Sequence, residues 1–190
     1  MRSSCKTPIL FLLAVMAAMA APAWPATAPT PAAPTAGPHR VELTGADGKP
    51  FPYTVEIPAD WQIKPAPELK GAWLLPAGAD PQREPRAILV RASPADLHDP
   101  EATVRTIQEN DKQDDTWSAP LVAVREVGGV RGVLVQMNSG QGTQARSALT
   151  LKLPLGTTSV DLMASVPQVL FPTLRLGYEK ILFSVRPAGK

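Results

Sequence analysis

Arg146-Ser147-Ala148-Leu149-Thr150-Leu151-Lys152-Leu153 and Ser159-Val160-Asp161-Leu162-Met163-Ala164-Ser165-Val166 decide how this chain is read. In an extended chain, alternate side chains point to opposite faces. Ser147, Leu149, Leu151 and Leu153 then share a face, opposite Arg146, Thr150 and Lys152. Val160, Leu162, Ala164 and Val166 share a face, opposite Ser159, Asp161 and Ser165. The link, Pro154-Leu155-Gly156-Thr157-Thr158, has turn composition and makes the two runs an antiparallel pair. Keeping both apolar faces on the core side sets Lys152 opposite either Asp161 or Ser159. The parent sheet is therefore expected to be antiparallel, with one core face and one polar face.

The same alternation recurs upstream. Arg40–Thr44 and Phe51–Ile57 flank a turn, with Tyr53, Val55 and Ile57 on one side. Pro58-Ala59-Asp60 breaks the second run and Trp61-Gln62-Ile63 resumes it. Ala72–Leu75 and Ala87–Arg91 are further strands, and Leu121–Val127 with Val130–Met137 forms a hairpin around Gly128-Gly129. Two segments are helical. Asp99 can accept from free amides, Pro100 suits the first helical position and Glu101 favours the positive end of the dipole. Val104 and Ile107 of that helix face inward, and it fades by Asp114-Asp115. Later, Leu170, Leu174, Gly177, Tyr178, Ile181 and Leu182 recur at helical spacing, with Pro172 in the first turn. Phe183-Ser184-Val185 is expected to leave this helix as a short strand. About eight strands and two helices in a hairpin-dominated order predict an α+β domain, an antiparallel sheet covered by helices.

The N-terminus reads as an address. Arg2 and Lys6 precede the apolar run Ile9–Met16, and Ala18-Met19-Ala20 and Ala21-Pro22-Ala23 are small-residue cleavage sites. Residues 1–23 thus read as a secretory signal peptide, which directs the chain to the periplasm or beyond. The apolar stretch Pro8–Ala21 is 14 residues long. That is short of the ~20 needed to cross a bilayer, so no transmembrane span is expected after cleavage. Cys5 would leave with the signal peptide, so the exported chain would have no cysteine. Residues 24–38 read as a Pro/Ala-rich disordered linker, in which Trp24 is the one large apolar side chain. Residues 39–190 read as one domain without repeats.

Composition narrows the function classes. Of 19 basic and 17 acidic residues, Arg2 and Lys6 fall in the signal peptide, which leaves the remainder neutral. That gives no footing for nucleic acid. With two histidines, one cysteine and no Gly-x-Ser-x-Gly elbow, no catalytic residue, cofactor or metal site is expected. Asp96, His98, Asp99 and Glu101 form the one group with metal-ligand chemistry, and the helix cap competes for Asp99. Ser139-Gly140-Gln141-Gly142 lies between strands and reads as a hairpin loop rather than a phosphate cradle. Trp61 and Trp73 are expected in the core. Trp117, after an acidic helix end, is the first candidate for a partner contact. The polar sheet face with Arg146, Thr150, Lys152 and Asp161 is the second, and Arg131 at the hairpin is the third.

Tyr53-Thr54-Val55-Glu56-Ile57-Pro58-Ala59-Asp60-Trp61 resembles the opening of PsbP-like and DcrB-like domains. Tyr178-Glu179-Lys180-Ile181-Leu182-Phe183-Ser184-Val185 resembles their closing helix and exit, and Val127-Gly128-Gly129-Val130-Arg131-Gly132 fits their glycine-bearing hairpin. The resemblance covers roughly residues 40–187. It implies a central antiparallel β-sheet flanked by helices on both faces, an α/β/α sandwich. It also implies adaptor, assembly or chaperone-like work in the bacterial envelope, without catalysis. The expected partner is another envelope or secreted protein, and the expected state is a monomer. Two rival readings are a carrier of a small hydrophobic ligand and an immunity or inhibitor protein against a secreted toxin.

Overall fold

The computed structural model describes residues 37–95, 97–113 and 116–189. The signal peptide, most of the linker, Asp96, Asp114 and Asp115 lie outside the described residues. In chain order the strands and helices are β1 (His39–Thr44), β2 (Pro50–Ile57), β3 (Trp61–Ala66), β4 (Gly71–Pro76), β5 (Ile88–Ser93) and α1 (Pro100–Asp111). Then come β6 (Trp117–Val127), β7 (Val130–Ser139), β8 (Arg146–Leu155), β9 (Thr158–Pro167), α2 (Phe171–Leu182) and β10 (Arg186–Pro187). The fold is mainly β, and every strand pairing is antiparallel.

One sheet was expected and two are found. A seven-stranded sheet runs β3-β4-β5-β9-β8-β7-β6, and a three-stranded sheet runs β1-β2-β10. The large sheet is two meanders joined where β9 returns to pair with β5. The link from β5 to β6 must traverse four strand spacings, roughly 19 Å, and α1 lies in that link. The last strand also begins later than expected. Phe183, Ser184 and Val185 keep donating to carbonyls of the last helical turn, and Ser184 Oγ accepts from Glu56 N–H at 2.8 Å. The chain is free to pair with β2 only from Arg186.

Local chemistry fixes the elements. Asp99 Oδ1 accepts from Ala102 N–H at 2.9 Å, and Pro100 occupies the first turn of α1. Gly128 and Gly129 both have positive φ (61° and 79°), the geometry a two-residue hairpin turn requires. In β8 and β9 the register sets Lys152 directly opposite Asp161, which resolves the two expected alternatives.

The core divides along the strand alternation. Leu134, Leu149, Leu151 and Leu153 belong to the larger cluster, with Val55 and Ile57 of β2 and Tyr178 and Leu182 of α2. Val133 and Val135 form a smaller cluster with Leu97, packed against Val104 and Ile107 of α1. A fully buried leucine contributes roughly 1.5–3 kcal/mol, so the larger cluster carries most of the stability. Trp61 is buried as expected, whereas Trp73 is only half-buried.

Candidate functional site

Three surfaces bring polar or exposed apolar groups together. The first is an open groove of about 520 Å³ beside α1, lined by Ala95, His98, Ala102, Thr106, Ile107 and Lys152. At Lys152, Nζ donates to Asp161 Oδ2 at 2.6 Å, and Ser159 Oγ donates to Asp161 Oδ1 at 3.0 Å. Both carboxylate oxygens are therefore engaged. The Asp161 side chain is 5% exposed and that of Lys152 19%, so the pair is largely removed from water. Asp99 and Thr103 complete the lining, so this groove mixes Ala95, Ala102 and Ile107 with polar side chains, and Lys152 is among them.

Two expectations change here. Thr150 and Asp161 were expected on a solvated polar face, yet both are buried. Thr150 lies between Val135 and Met163 across its two neighbouring strands. Asp161 has Lys152 on one side and Arg91 on the other. Arg131 and Arg146 stay exposed but are engaged. Arg131 pairs with Glu101 in the first turn of α1, and Arg146 donates to Ser165 O at 2.7 Å and Ser165 Oγ at 3.2 Å. Among the described residues, no three His, Cys, Asp or Glu side chains converge as metal ligands. Asp99 caps α1 and Glu101 takes Arg131, so both are committed within the fold.

The second surface lies at the end of the large sheet where β6 begins. The β6–β7 register shifts between Ser118 and Leu121, so two residues face one on β7. Such a bulge moves every earlier side chain to the other face. Trp117 consequently sits opposite Ser139, on the face of Val122 and Val124 rather than of Leu121. Pro120, which has no N–H to give, sits in the bulge, and Ala119 N–H is tied to Asp111 Oδ1 at 2.7 Å. Trp117, Ser118, Asn138, Ser139, Gln141 and Gln168 line a cavity of about 250 Å³ here.

The third surface is the outer side of α2. Phe171, Tyr178, Ile181 and Leu182 are buried, while Leu176 is 69% and Phe183 37% exposed. Leu176 and Phe183 are seven residues apart and so share a face. Val169, 84% exposed, and Leu170 lie in the turn leading into the helix. Leu170 and Gly177 were both expected inside with the apolar stripe; Leu170 instead lies before the helix, 41% exposed. Gly177 is exposed, and a Cβ added there would meet nothing within 4 Å. Periodicity found Tyr178, Ile181 and Leu182 of the buried stripe. The leftover apolar residues at 169, 176 and 183 were the signal for the outer one.

Burial and charge also perturb two groups near this helix. Tyr178 donates to Pro85 O, and burial pushes its phenol up to about 12. Hydrogen bonds from Arg86 hold the Glu84 carboxyl below its ordinary range.

No family model matches the chain, and no curated protein matches it. Solved structures do show similarity. The solution structure of cyanobacterial PsbP from Synechocystis sp. PCC 6803 shares 14% identity at TM-score 0.48, covering 86% of this chain and 99% of that one. The crystal structure of LpqN, involved in cell envelope biogenesis of Mycobacterium tuberculosis, shares 16% identity at TM-score 0.47, covering 78% and 90%. A Pseudomonas aeruginosa protein of unknown function shares 11% identity at TM-score 0.45, covering 72% and 92%.

Proposed function

We propose that this chain is an exported, non-catalytic binding module that docks another envelope or secreted protein through the outer face of α2. One observation carries the reading: Val169 and Leu176 stand in water, with Phe183 partly exposed, beside a helix that buries Phe171, Tyr178, Ile181 and Leu182. Exposed apolar side chains gathered along one side of an element are what interaction sites present. Lys180 lies on the same face and, among the described residues, has no ion-pair partner. The fitting occupant is therefore a protein segment with apolar side chains and an acidic residue opposite Lys180. Gly177 gives the helix a flat shoulder on which a partner backbone can approach closely.

The Lys152–Asp161 pair supports a non-catalytic role for the α1 groove, because its carboxylate is already occupied on both oxygens. The reading includes a helix on each face of the large sheet. The separate clusters of α1 with Val133 and Val135, and of α2 with Leu149 and Leu151, support it. The groove beside α1 favours a second reading, carriage of a small hydrophobic ligand. Native lipid co-purifying with the chain would favour that reading.

Crosslinking in the native host tests the docking face, comparing the unaltered chain with Leu176→Asp. Leu176 is exposed, so the substitution should change stability by less than about 0.5 kcal/mol. The expected result is one reproducible protein partner whose crosslinked peptides map to α2 and which the substitution removes. An identical capture pattern from both chains overturns the reading. So does Leu176-dependent flotation with phospholipid vesicles, which would make the occupant a membrane.

A further inference from the structure

We propose that the outer edge of β6 joins two copies of this chain, strand to strand, in an antiparallel dimer that extends the large sheet, where a monomer was expected. This role is separate from docking at α2. β6 is the last strand of the sheet, and among the described residues it pairs with β7 alone. Past the bulge its register with β7 is unbroken from Leu121 to Val127. Alternate residues of an edge strand point their N–H and C=O away from the paired neighbour, so this stretch presents a ladder that another strand can complete. The other edges are guarded. β3 carries Lys64 and Pro65, β1 has a register shift between Glu42 and Thr44, and β10 is two residues long and ends in Pro187. Lysine, proline, irregularity and shortness are the devices that keep edges from pairing. Leu121–Val127 contains none of them.

The side chains point to a second copy as the occupant. Leu121, Val122, Ala123 and Val124 are all half-buried. Leu121 packs toward the larger cluster and Val122 toward the smaller one under α1, so the edge is apolar on both faces. A strand added here must also be apolar on both faces, which takes a continuous apolar run rather than an alternating one. Leu121–Val124 is itself such a run. Residues directly opposite in a sheet share a face, so a two-fold axis through Ala123 sets Val122 against Val124 of the second copy and Leu121 against Arg125. The Arg125 stem can cover that leucine while its guanidinium stays in water, and the like charges fall at opposite ends of the seam. There is room for the seam beside α1. Val133 and Val135 of β7 are fully buried in the α1 cluster, whereas Val122 and Val124 of β6 are not, so α1 is centred inward of the edge.

The test is sedimentation velocity on the chain as purified, across about 5–500 µM. The expected result is a monomer–dimer equilibrium with a dissociation constant at or below about 100 µM. Ala123→Lys sets two ammonium groups against each other at the axis and should remove the dimer. Arg125→Asp, at an exposed position, leaves the core untouched and should weaken the dimer several-fold, because each substitution counts twice in a two-fold interface. Leu176→Asp should leave the dimer unchanged. Hydrogen exchange gives a second readout. Amides between Leu121 and Arg125 that exchange fast in dilute solution should slow as concentration rises, and those of Ala123→Lys should not. A chain that stays monomeric over the whole range overturns the proposal. So does a dimer that persists unchanged in Ala123→Lys, or one that Leu176→Asp removes.

Discussion

Breaking the Lys152–Asp161 pair from either side should cost far more than deleting it whole. The two side chains meet at 2.6 Å with exposures of 19% and 5%, so neither is well hydrated in the fold. Removing one partner of such a pair typically costs about 3–5 kcal/mol, because a charge is left buried without its counter-charge. The two sides should not be equal. Without Lys152, Asp161 keeps the Ser159 hydroxyl at 3.0 Å and Arg91 as its cross-strand neighbour, neither of which replaces the close ammonium contact. Without Asp161, Lys152 can turn its ammonium into the open groove beside α1. Lys152→Met should therefore lie near the upper end of that range and Asp161→Leu near the lower. The double variant, which replaces both by apolar side chains, should return to within about 1 kcal/mol of the unaltered chain. Urea denaturation at constant m reads all four proteins, and a coupling of about 2 kcal/mol or more is expected. Two single losses below about 1 kcal/mol, or a double loss equal to their sum, would refute the claim that the pair is buried and coupled.

Other outcomes follow from single contacts. Gly177→Ala should stabilise the domain by about 0.5–1 kcal/mol in denaturation, because the site is an exposed helix interior with open space, and should weaken partner capture if the shoulder is used. Asp99→Ala removes the bond to Ala102 N–H and should cost about 1 kcal/mol, with loss of helical circular dichroism. The Tyr178 phenol is raised from 10.0 to about 12 by burial, so the fold favours its protonated form. Its contribution is full below pH 10.0 and is lost as pH rises toward 12, so the stability gap to Tyr178→Phe should close over that window. A gap that stays constant would contradict it. Hydrogen bonds from Arg86 hold the Glu84 carboxyl low, so its contribution is present above pH 4.5 and fades as pH falls below. The stability difference between the unaltered chain and Glu84→Gln should be largest at neutral pH and shrink in acid.

The elements were legible wherever alternation and capping acted locally. β8 and β9 have unbroken alternation, so their faces could be read directly and the partner of Lys152 narrowed to Asp161 or Ser159; the register that selects Asp161 depends on the turn between them. Asp99-Pro100 placed the start of α1 for the same reason. What escaped depended on distant segments. The separate small sheet arises from β10 closing on β2, more than 120 residues away. Thr150 on β8 and Asp161 on β9 looked accessible because neither strand gives a sign of what packs above it. The β6 bulge flips Trp117 by setting two residues, Ala119 and Pro120, against the single Met137 between Asn138 and Gln136, a shift visible only in the paired strand. At α2, Gly177 matched the inward spacing because glycine carries no side chain to reveal its face.

The most direct test of the docking reading is a photoreactive amino acid placed at position 176 and, as control, at the exposed Lys64 of β3. Irradiation in the native host is predicted to give a single protein adduct from position 176 and none from position 64. Adducts of the same species from both positions, or none from position 176 at full expression, would contradict a protein-docking face on α2.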